Sequence, residues 1–538
     1  MRGANLVANA LAAASVRTVF TLSGNQIMPI FDACIDAGIR LIHVRHEAAA
    51  VYMADAWSQL TGDVGIALIT AAPGFANGLS PLYTARASES AVVLLSGDAP
   101  LAQEGRGAFQ ELRQTEVSAP LCKAAIRSRE GTELGEDIAR AIWIARSGRP
   151  GPVHLALPFD LLNAQVVSKS PPAVEDFERQ WTFLDPAVSG KILKTLTAAG
   201  RPLVLTGPAL NASRAGSTLQ RLSQALNSPV VSMESPRGLR DPALGDFARV
   251  LPEVDVVLIL GKVIDFTLGF GKPPVFAPNC RFMVVDPESE FLERAKRILG
   301  DNLIIEHQAD ADAAAEVLVE AAAQTSKPRS EWCRKVATAI ASRPDDTEEL
   351  SSSGRILPAA LCRVVQQVLD AADDPILICD GGEFGQWAQA CLSAPTRIIN
   401  GPAGAIGGGL CYAIAAKINR PDATVVALMG DGTVGFHLSE FETALRCDAP
   451  IIAIIGHDAR WNAEFQIQLR DYGPQRLIGC ELGDTRYDLA AAGLGCHGEH
   501  VTHPDELAGA FQRAIQSGLP ACVNVRIEGL AAPSGSAH

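Results

Sequence analysis

Few of the patterns that announce common chemistries occur in this sequence. There is no HExxH motif: His46-Glu47 comes nearest, but Ala50 and Val51 stand where a second histidine would be needed. There is no GxxxxGK[ST] either, so the zinc-hydrolase and P-loop readings both fall away. Twelve cysteines, from Cys34 to Cys522, form no CxxC pair and no Cys/His cluster. A zinc knuckle or disulfide framework is therefore not expected, and reduced thiols in a cytoplasmic protein are. No apolar run reaches the roughly 18 residues of a membrane span. The small apolar residues at the start are spaced as a helix leading into a strand, not as a signal peptide. Positive charge is also in short supply: 46 Lys and Arg against 60 Asp and Glu leave a net charge of −14. Neither nucleic acid nor an anionic membrane has electrostatic support as a partner.

What is present is a large globular chain. Its 538 residues are too many for one core, and 48% hydrophobic with 20% charged residues suits folded domains. Short β-rich runs (VRTVFTL, RLIHVR, VGIALIT, AVVLLSG, PVHLALP) alternate with helix-like stretches in the first block, residues 1–165. A polar linker, VSKSPPAVEDFERQ, precedes a second block, 185–325, with PLVLTG, PVVSM, VDVVLILG and RFMVVD. A connector rich in Ser, Pro and charge leads to a third block, 355–530, with PILICD, TVVALMGDG, IIAIIGHD and ACVNVRI. The alternation predicts an α/β fold of three doubly wound parallel-sheet domains. The tail GLAAPSGSAH has no periodicity and is expected to fray.

The third block carries the sharpest signal. TVVALM runs directly into Gly430-Asp431-Gly432-Thr433, and HLSEFETALRC after it reads as a helix. Glycines let the backbone approach a ligand closely, and a helix N-terminus can face a phosphate. The next strand ends at His457-Asp458, twenty-seven residues beyond Asp431. Asp431 and Asp458 would then share the sheet edge where open α/β sheets bind ligands. Two carboxylates, a backbone carbonyl and diphosphate oxygens make a shell suited to Mg²⁺.

These residues resemble the GDG…NN motif of the thiamine diphosphate (ThDP) enzymes. The resemblance implies Asp431, Asp458 and the carbonyl of Arg460 as Mg²⁺ ligands, with His457-Asp458 in place of the usual Asn-Asn. It also asks for a glutamate at the end of the first block's second strand, and Glu47 stands there. Read alone, Glu47 is a first-turn glutamate favoured by the helix dipole. Within the family it would hydrogen-bond the aminopyrimidine and promote formation of the ylid. Thr70 to Asn77 (TAAPGFAN) resembles the family's TSGPGxxN loop, bringing in Pro73 and Asn77. Gly404-Ala405-Ile406-Gly407 resembles the segment that wedges a bulky residue, here Ile406, between the cofactor's rings. The Gly404 carbonyl would accept from the pyrimidine amine. The resemblance covers essentially the whole chain and implies a homodimer or homotetramer with its active site at the subunit interface.

Within that family the sequence is closest in kind to the acetolactate synthases, benzaldehyde lyase and the 2-hydroxyacyl-CoA or oxalyl-CoA lyases. Ala108 to Glu111 resembles the FQE segment of acetolactate synthases, and YGPQRLIG looks like benzaldehyde lyase. By the same resemblance benzaldehyde lyase has His where this sequence has Gln26 and Asn400, and Gln where it has Gln110; Gln26, Gln110 and Asn400 could orient a carbonyl but not shuttle protons. His437 and His457 are the nearby groups that could. Phe109, Trp461, Glu464, Phe465 and Gln466 are candidates for contact with a small carbonyl substrate. Trp461 and Phe465 are equally placed to pack a helix, at i and i+4, against the core. FAD is raised by the acetolactate synthase resemblance, but the middle block offers no GxGxxG in its support. The expectation is a ThDP- and Mg²⁺-dependent C–C bond lyase or carboligase working through a ylid and an enamine on 2-hydroxy carbonyl or 2-oxo acid substrates. An acetolactate synthase-type reaction, a 2-hydroxyacyl-CoA or oxalyl-CoA lyase, and a silent cofactor-binding scaffold are the alternatives.

Overall fold

A computed structural model describes residues 1–167, 169–322, 329–343, 347–400 and 403–533. The first sheet holds β1 (Thr18–Thr21), β2 (Arg40–His43), β3 (Gly65–Ile69), β4 (Val92–Asp98), β5 (Ala124–Arg127) and β6 (Val153–Pro158). The second holds β7 (Pro202–Thr206), β8 (Val230–Ser232), β9 (Val256–Leu260), β10 (Arg281–Asp286) and β11 (Leu303–Gln308). The third holds β12 (Pro375–Cys379), β13 (Thr396–Ile399), β14 (Thr424–Gly430), β15 (Ile452–His457), β16 (His497–Val501) and β17 (Ala521–Arg526). Every pairing among them is parallel. Their orders are β2-β1-β3-β4-β6-β5, β11-β10-β9-β7-β8 and β13-β12-β14-β15-β17-β16. Counted within its own block, the first sheet has the same order as the third.

Both faces of each sheet are buried, as parallel sheets require. Along β3, Ala67 and Ile69 enter one core while Ile66 and Leu68 enter another. Along β14, Ala427 and Met429 enter that same first core, and Val426 and Leu428 a separate one. The first and third sheets thus share a core. Four helices position the site: α1 (Glu47–Thr61), α2 (Glu383–Cys391), α3 (Gly409–Asn419) and α4 (Asn462–Tyr472). Helices α1 and α3 are apolar nearly all round and rich in alanine, which marks a helix buried on every side. They pack against each other in the shared core. Tyr412 of α3 donates its hydroxyl to the buried Asp55 of α1. The middle block is tied to the first by Arg214, which donates to the carbonyls of Ser88 (2.7 Å) and Glu89 (2.9 Å).

Three expectations need correction or restriction. The linker after the first block is not free: Phe177 buries its ring in that block's core. The C-terminal tail does not fray at its start. Gly529 accepts from Gln466 (3.0 Å), Leu530 from Asn462 (3.0 Å), and the Ala532 N–H donates to Glu383 (2.6 Å). Lack of periodicity rules out a helix or strand, yet side chains can satisfy the backbone without either. Residues 534–538 of the tail, residues 323–328 and 344–346 of the connector, and Ser168 of the linker lie outside the described residues. Among the described residues no helix is long and apolar enough to cross a membrane, and no two cysteines are joined in a disulfide.

Candidate active site

In the first block, β2 ends at His43 and α1 begins at Glu47, capped by the His46 ring, which accepts from the Ala48 N–H at 3.2 Å. Glu47 is 9% exposed, and its Oε2 accepts from Asn77 Nδ2 at 2.9 Å. The loop after β3 closes over it. A Cβ on Gly74 would stand 3.1 Å from Glu47 Oε1 and 2.6 Å from Thr70 Cγ2, so this backbone approaches only as glycine. Ala72 holds the turn with φ at +48°. Such strain in a non-glycine residue persists only where the surroundings enforce it. Gln114, which sequence reasoning missed, does so: its Oε1 accepts from the Ala72 N–H (2.9 Å) and its amide donates to the Gly97 carbonyl (2.9 Å). Gln26 accepts from Thr70 (2.7 Å) and donates to Gln110 (2.5 Å). Glu47, Pro73, Asn77, Gln26 and Gln110 are thus gathered around one loop. Phe109 beside them is 76% exposed.

In the third block, β14 ends at Gly430 and β15 at His457, with Gly430 level with Gly456 in the ladder. Asp431 and Asp458 therefore emerge side by side. Asp431 is 1% and Asp458 6% exposed. Asp431 Oδ1 accepts from the Gly432 N–H (2.9 Å), whereas its buried Oδ2 has no hydrogen-bond partner. Asp458 Oδ1 accepts from the Arg460 N–H at 3.1 Å. Arg460 sits opposite Glu481 in a bridge whose bonds are made by its neighbours: Leu482 N–H to the Ala459 carbonyl (2.7 Å), Trp461 N–H to the Cys480 carbonyl (2.8 Å). In such a non-bonded pair both backbone groups of Arg460 point away from Glu481. Its carbonyl consequently lies on the side where its N–H meets Asp458.

Burial pushes the Asp431 carboxyl up to about 6. Burial, and then the Asp431 charge, push Asp458 up to about 7. Among the described residues no group of three His, Cys, Asp or Glu side chains is arranged to hold a metal. The donor set is two carboxylates, one with an orphaned oxygen, and a carbonyl. These hard oxygens fit Mg²⁺, which keeps positions for water and phosphate oxygens.

A cavity of about 50 Å³ opens beside these carboxylates, lined by residues 382–384, 406, 430–433, 456, 458 and 460–464. Ile406, Gly430, Gly432, Thr433, Trp461 and Glu464 all belong to it. The Trp461 ring lies on Gly432, where a Cβ would come within 2.5 Å of it. Gly404, with φ at +78°, is exposed beside this wall. All lining residues come from the third block; Glu47 is not among them.

Other candidates fall elsewhere. Phe465 is buried, with the Arg460 guanidinium 4.2 Å above its ring, so it packs while Trp461 lines the cavity. Gln466 anchors the tail. Asn400 is fully buried and donates to Asp380 at 2.6 Å. Asp380 also accepts from the Gly407 N–H (3.0 Å) and so fixes the Gly404–Gly407 segment. The same rule that flagged Asp431, an acid ending a parallel strand, could have found it. His437 is buried, donates from Nδ1 to the Gly407 carbonyl (2.7 Å) and is pushed down to about 4 by burial. His457 is fully buried, and burial and then Arg526 lower its affinity for a proton. Burial thus favours the neutral ring in both. The helix after GDG is split: a single turn, Asp431–Val434, flanks the cavity, and Glu440–Arg446 follows. The start of that second helix meets the first block, where Glu440 accepts from the Arg45 N–H at 2.9 Å.

Comparison with known proteins agrees with this division of labour. Residues 1–117 match the N-terminal, and 380–525 the C-terminal, TPP binding domain of thiamine pyrophosphate enzymes. The chain is similar to the acetolactate synthase large subunit IlvG of Mycobacterium tuberculosis, 32% identical over 98% of this chain and 95% of the relative. It is also similar to 2-hydroxyacyl-CoA lyase 2 of Homo sapiens, 30% identical over 98% of this chain and 90% of the relative.

Proposed function

The chain belongs to the thiamine pyrophosphate enzyme family, in the branch of acetolactate synthases and 2-hydroxyacyl-CoA lyases, and from that premise we propose a Mg²⁺-dependent C–C bond lyase or carboligase. Its substrates are 2-hydroxy carbonyl compounds or 2-oxo acids. The observation that carries the metal-dependent part is the buried, unneutralised Asp431–Asp458 pair beside a cavity. Asp431, Asp458 and the Arg460 carbonyl hold Mg²⁺, and Gly432 and Thr433 flank the diphosphate. Bound ThDP supplies a carbon nucleophile that attacks a carbonyl and accepts the electrons of the broken C–C bond.

The chain's residues do the rest. Glu47 would face the pyrimidine through Oε1, with Asn77 fixing its other oxygen. The Gly404 carbonyl would accept from the pyrimidine amine, and Ile406 would be the wedge between the rings. Gln26 and Gln110 orient the substrate carbonyl through amide donors, which cannot transfer protons at neutral pH. Phe109, Trp461 and Glu464 surround the substrate.

Because the third-block cavity lacks Glu47, the complete site needs the first block of a second copy. A homodimer, or a homotetramer built as a dimer of dimers, supplies it. Mixing Glu47→Gln with Asp431→Ala subunits tests this: neither variant turns over alone, and exchange restores about a quarter of the activity through one intact interface per mixed dimer. No recovery after exchange removes the shared site. The reaction class is tested by giving the Mg²⁺- and ThDP-loaded enzyme pyruvate, an aromatic 2-hydroxyketone and a 2-hydroxyacyl-CoA, with products identified by NMR. Cleavage of the ketone or the thioester, with pyruvate inert, establishes the lyase. Turnover of pyruvate alone moves the protein to the synthase side.

A further inference from the structure

The middle sheet has its own crevice. In an open parallel sheet, ligands sit outside the carboxyl ends of the strands where the connections diverge. In the order β11-β10-β9-β7-β8 that point lies between β7 and β9. The loops leaving these strands touch there, since a Cβ on Gly207 would stand 2.6 Å from the Gly261 carbonyl oxygen. The Ala209 N–H, two residues further on, is the donor a phosphate would use. It is already taken: Glu89 Oε2 accepts from it at 2.9 Å.

Glu89 reaches across from the first block. It lies just before β4, is 7% exposed, and adopts φ of +53°, a costly conformation for a glutamate. Its other oxygen pairs with Arg149, whose second amino group pairs with Asp286 at the end of β10. Glu89 and Arg149 line two separate cavities, about 220 and 540 Å³, and stand between them. A ligand spanning the crevice would have to expel the glutamate and part the Glu89–Arg149 ion pair.

We infer that the Glu89 carboxylate is a built-in substitute for a ligand phosphate, and that the Glu89–Arg149–Asp286 clamp closes the middle block to a dinucleotide such as FAD. The middle block then acts as a latch on the first. This goes beyond the catalytic reading and does not depend on the substrate.

The test uses enzyme saturated with ThDP and Mg²⁺, so that the diphosphate site is filled. Equilibrated with FAD and filtered, the enzyme should retain no flavin absorbance; one equivalent retained per subunit overturns the inference. Glu89→Ser frees the Ala209 N–H and Arg149. Its affinity for pyrophosphate, by titration calorimetry, should rise at least about tenfold over the unaltered enzyme, the scale of one regained charged hydrogen bond. No rise means that the carboxylate is not what closes the crevice. Glu89→Gly, which also frees the Ala209 N–H and suits the φ of +53°, serves the same comparison if the serine variant does not fold.

Discussion

The first and third sheets are twins in topology, and the same place in each carries a buried aspartate with opposite consequences. Asp98 ends β4 and Asp458 follows β15, the fourth strand of its sheet in both cases. Asp98 is 2% exposed, and the Arg127 Nε stands 2.5 Å from its Oδ2. Asp458 faces Asp431 instead, with no guanidinium bonded to either. A carboxylate that carries its own cation is part of the scaffold. Two that share a pocket without one are incomplete, because burying unpaired charge is costly. A turn after each of two strands holds an alanine at positive φ, Ala72 (+48°) after β3 and Ala459 (+62°) after β15.

The comparison breaks most visibly through Asp431. Asp431→Ala should weaken Mg²⁺ binding by more than the about 10–100-fold that outer partners contribute, measured by ThDP-dependent quenching of tryptophan fluorescence across a Mg²⁺ series. An unchanged Mg²⁺ requirement would make the two aspartates equivalent after all. Asp98→Ala should do the converse. It leaves Arg127 buried with only the half-exposed Glu104 as partner, and should cost up to about 3–5 kcal/mol in denaturant unfolding. The activity of the molecules that remain folded should be kept.

The third prediction concerns pH. In the metal-free protein Asp431 and Asp458 are raised to about 6 and about 7, above their unfolded value near about 3.9. Between pH 4 and 7 the native state therefore holds protons that the unfolded chain has lost, so this pair's contribution to stability falls as pH rises through that window. Mg²⁺ with ThDP must displace those protons, and its stabilising effect should grow from pH 5 to pH 8 in thermal unfolding. A flat difference between loaded and metal-free protein would show that the pair is not the metal site. The smallest effect is expected from Arg460→Ala. The proposed ligand is its carbonyl and its guanidinium stacks on Phe465, so Mg²⁺ affinity should shift less than about threefold, within the range of an exposed charge effect. A large loss would make the side chain the cation that Asp458 otherwise lacks.

Thirteen of the seventeen strands follow from apolar runs in the sequence, and the exceptions share one property. β5, β11, β13 and β16 are all edge strands. β11 (LIIEHQ) is half-buried and exposed by turns, and β16 (HGEHV) is half-buried along most of its length. A strand covered on both sides and both faces must be continuously apolar; one at an edge need not be, and its polar residues hide it. The site follows the same rule. Asp431, Asp458 and Glu47 were legible because a motif ties each to a strand end or helix start. Gln114 was not, since it acts by holding a distant loop that only folding brings near; Asp380 shows the same strand-end signal as Asp431, but the segment it holds is visible only in the fold. Asn400, Phe465, His437 and His457 were read by residue type, and their burial and partners became visible only in the fold.

The sequence by itself determined three parallel-sheet blocks, the two carboxylates of the third, the glutamate of the first, and hence the cofactor family. Apolar periodicity and short motifs are local, so a single chain displays them without folding. Tertiary structure alone decided which polar groups are buried with partners and which without, that the first and third blocks share a core, and that Glu89 fills the middle crevice. Those outcomes depend on contacts between residues tens to hundreds of positions apart, where charge pairing and desolvation are settled only once the blocks are packed.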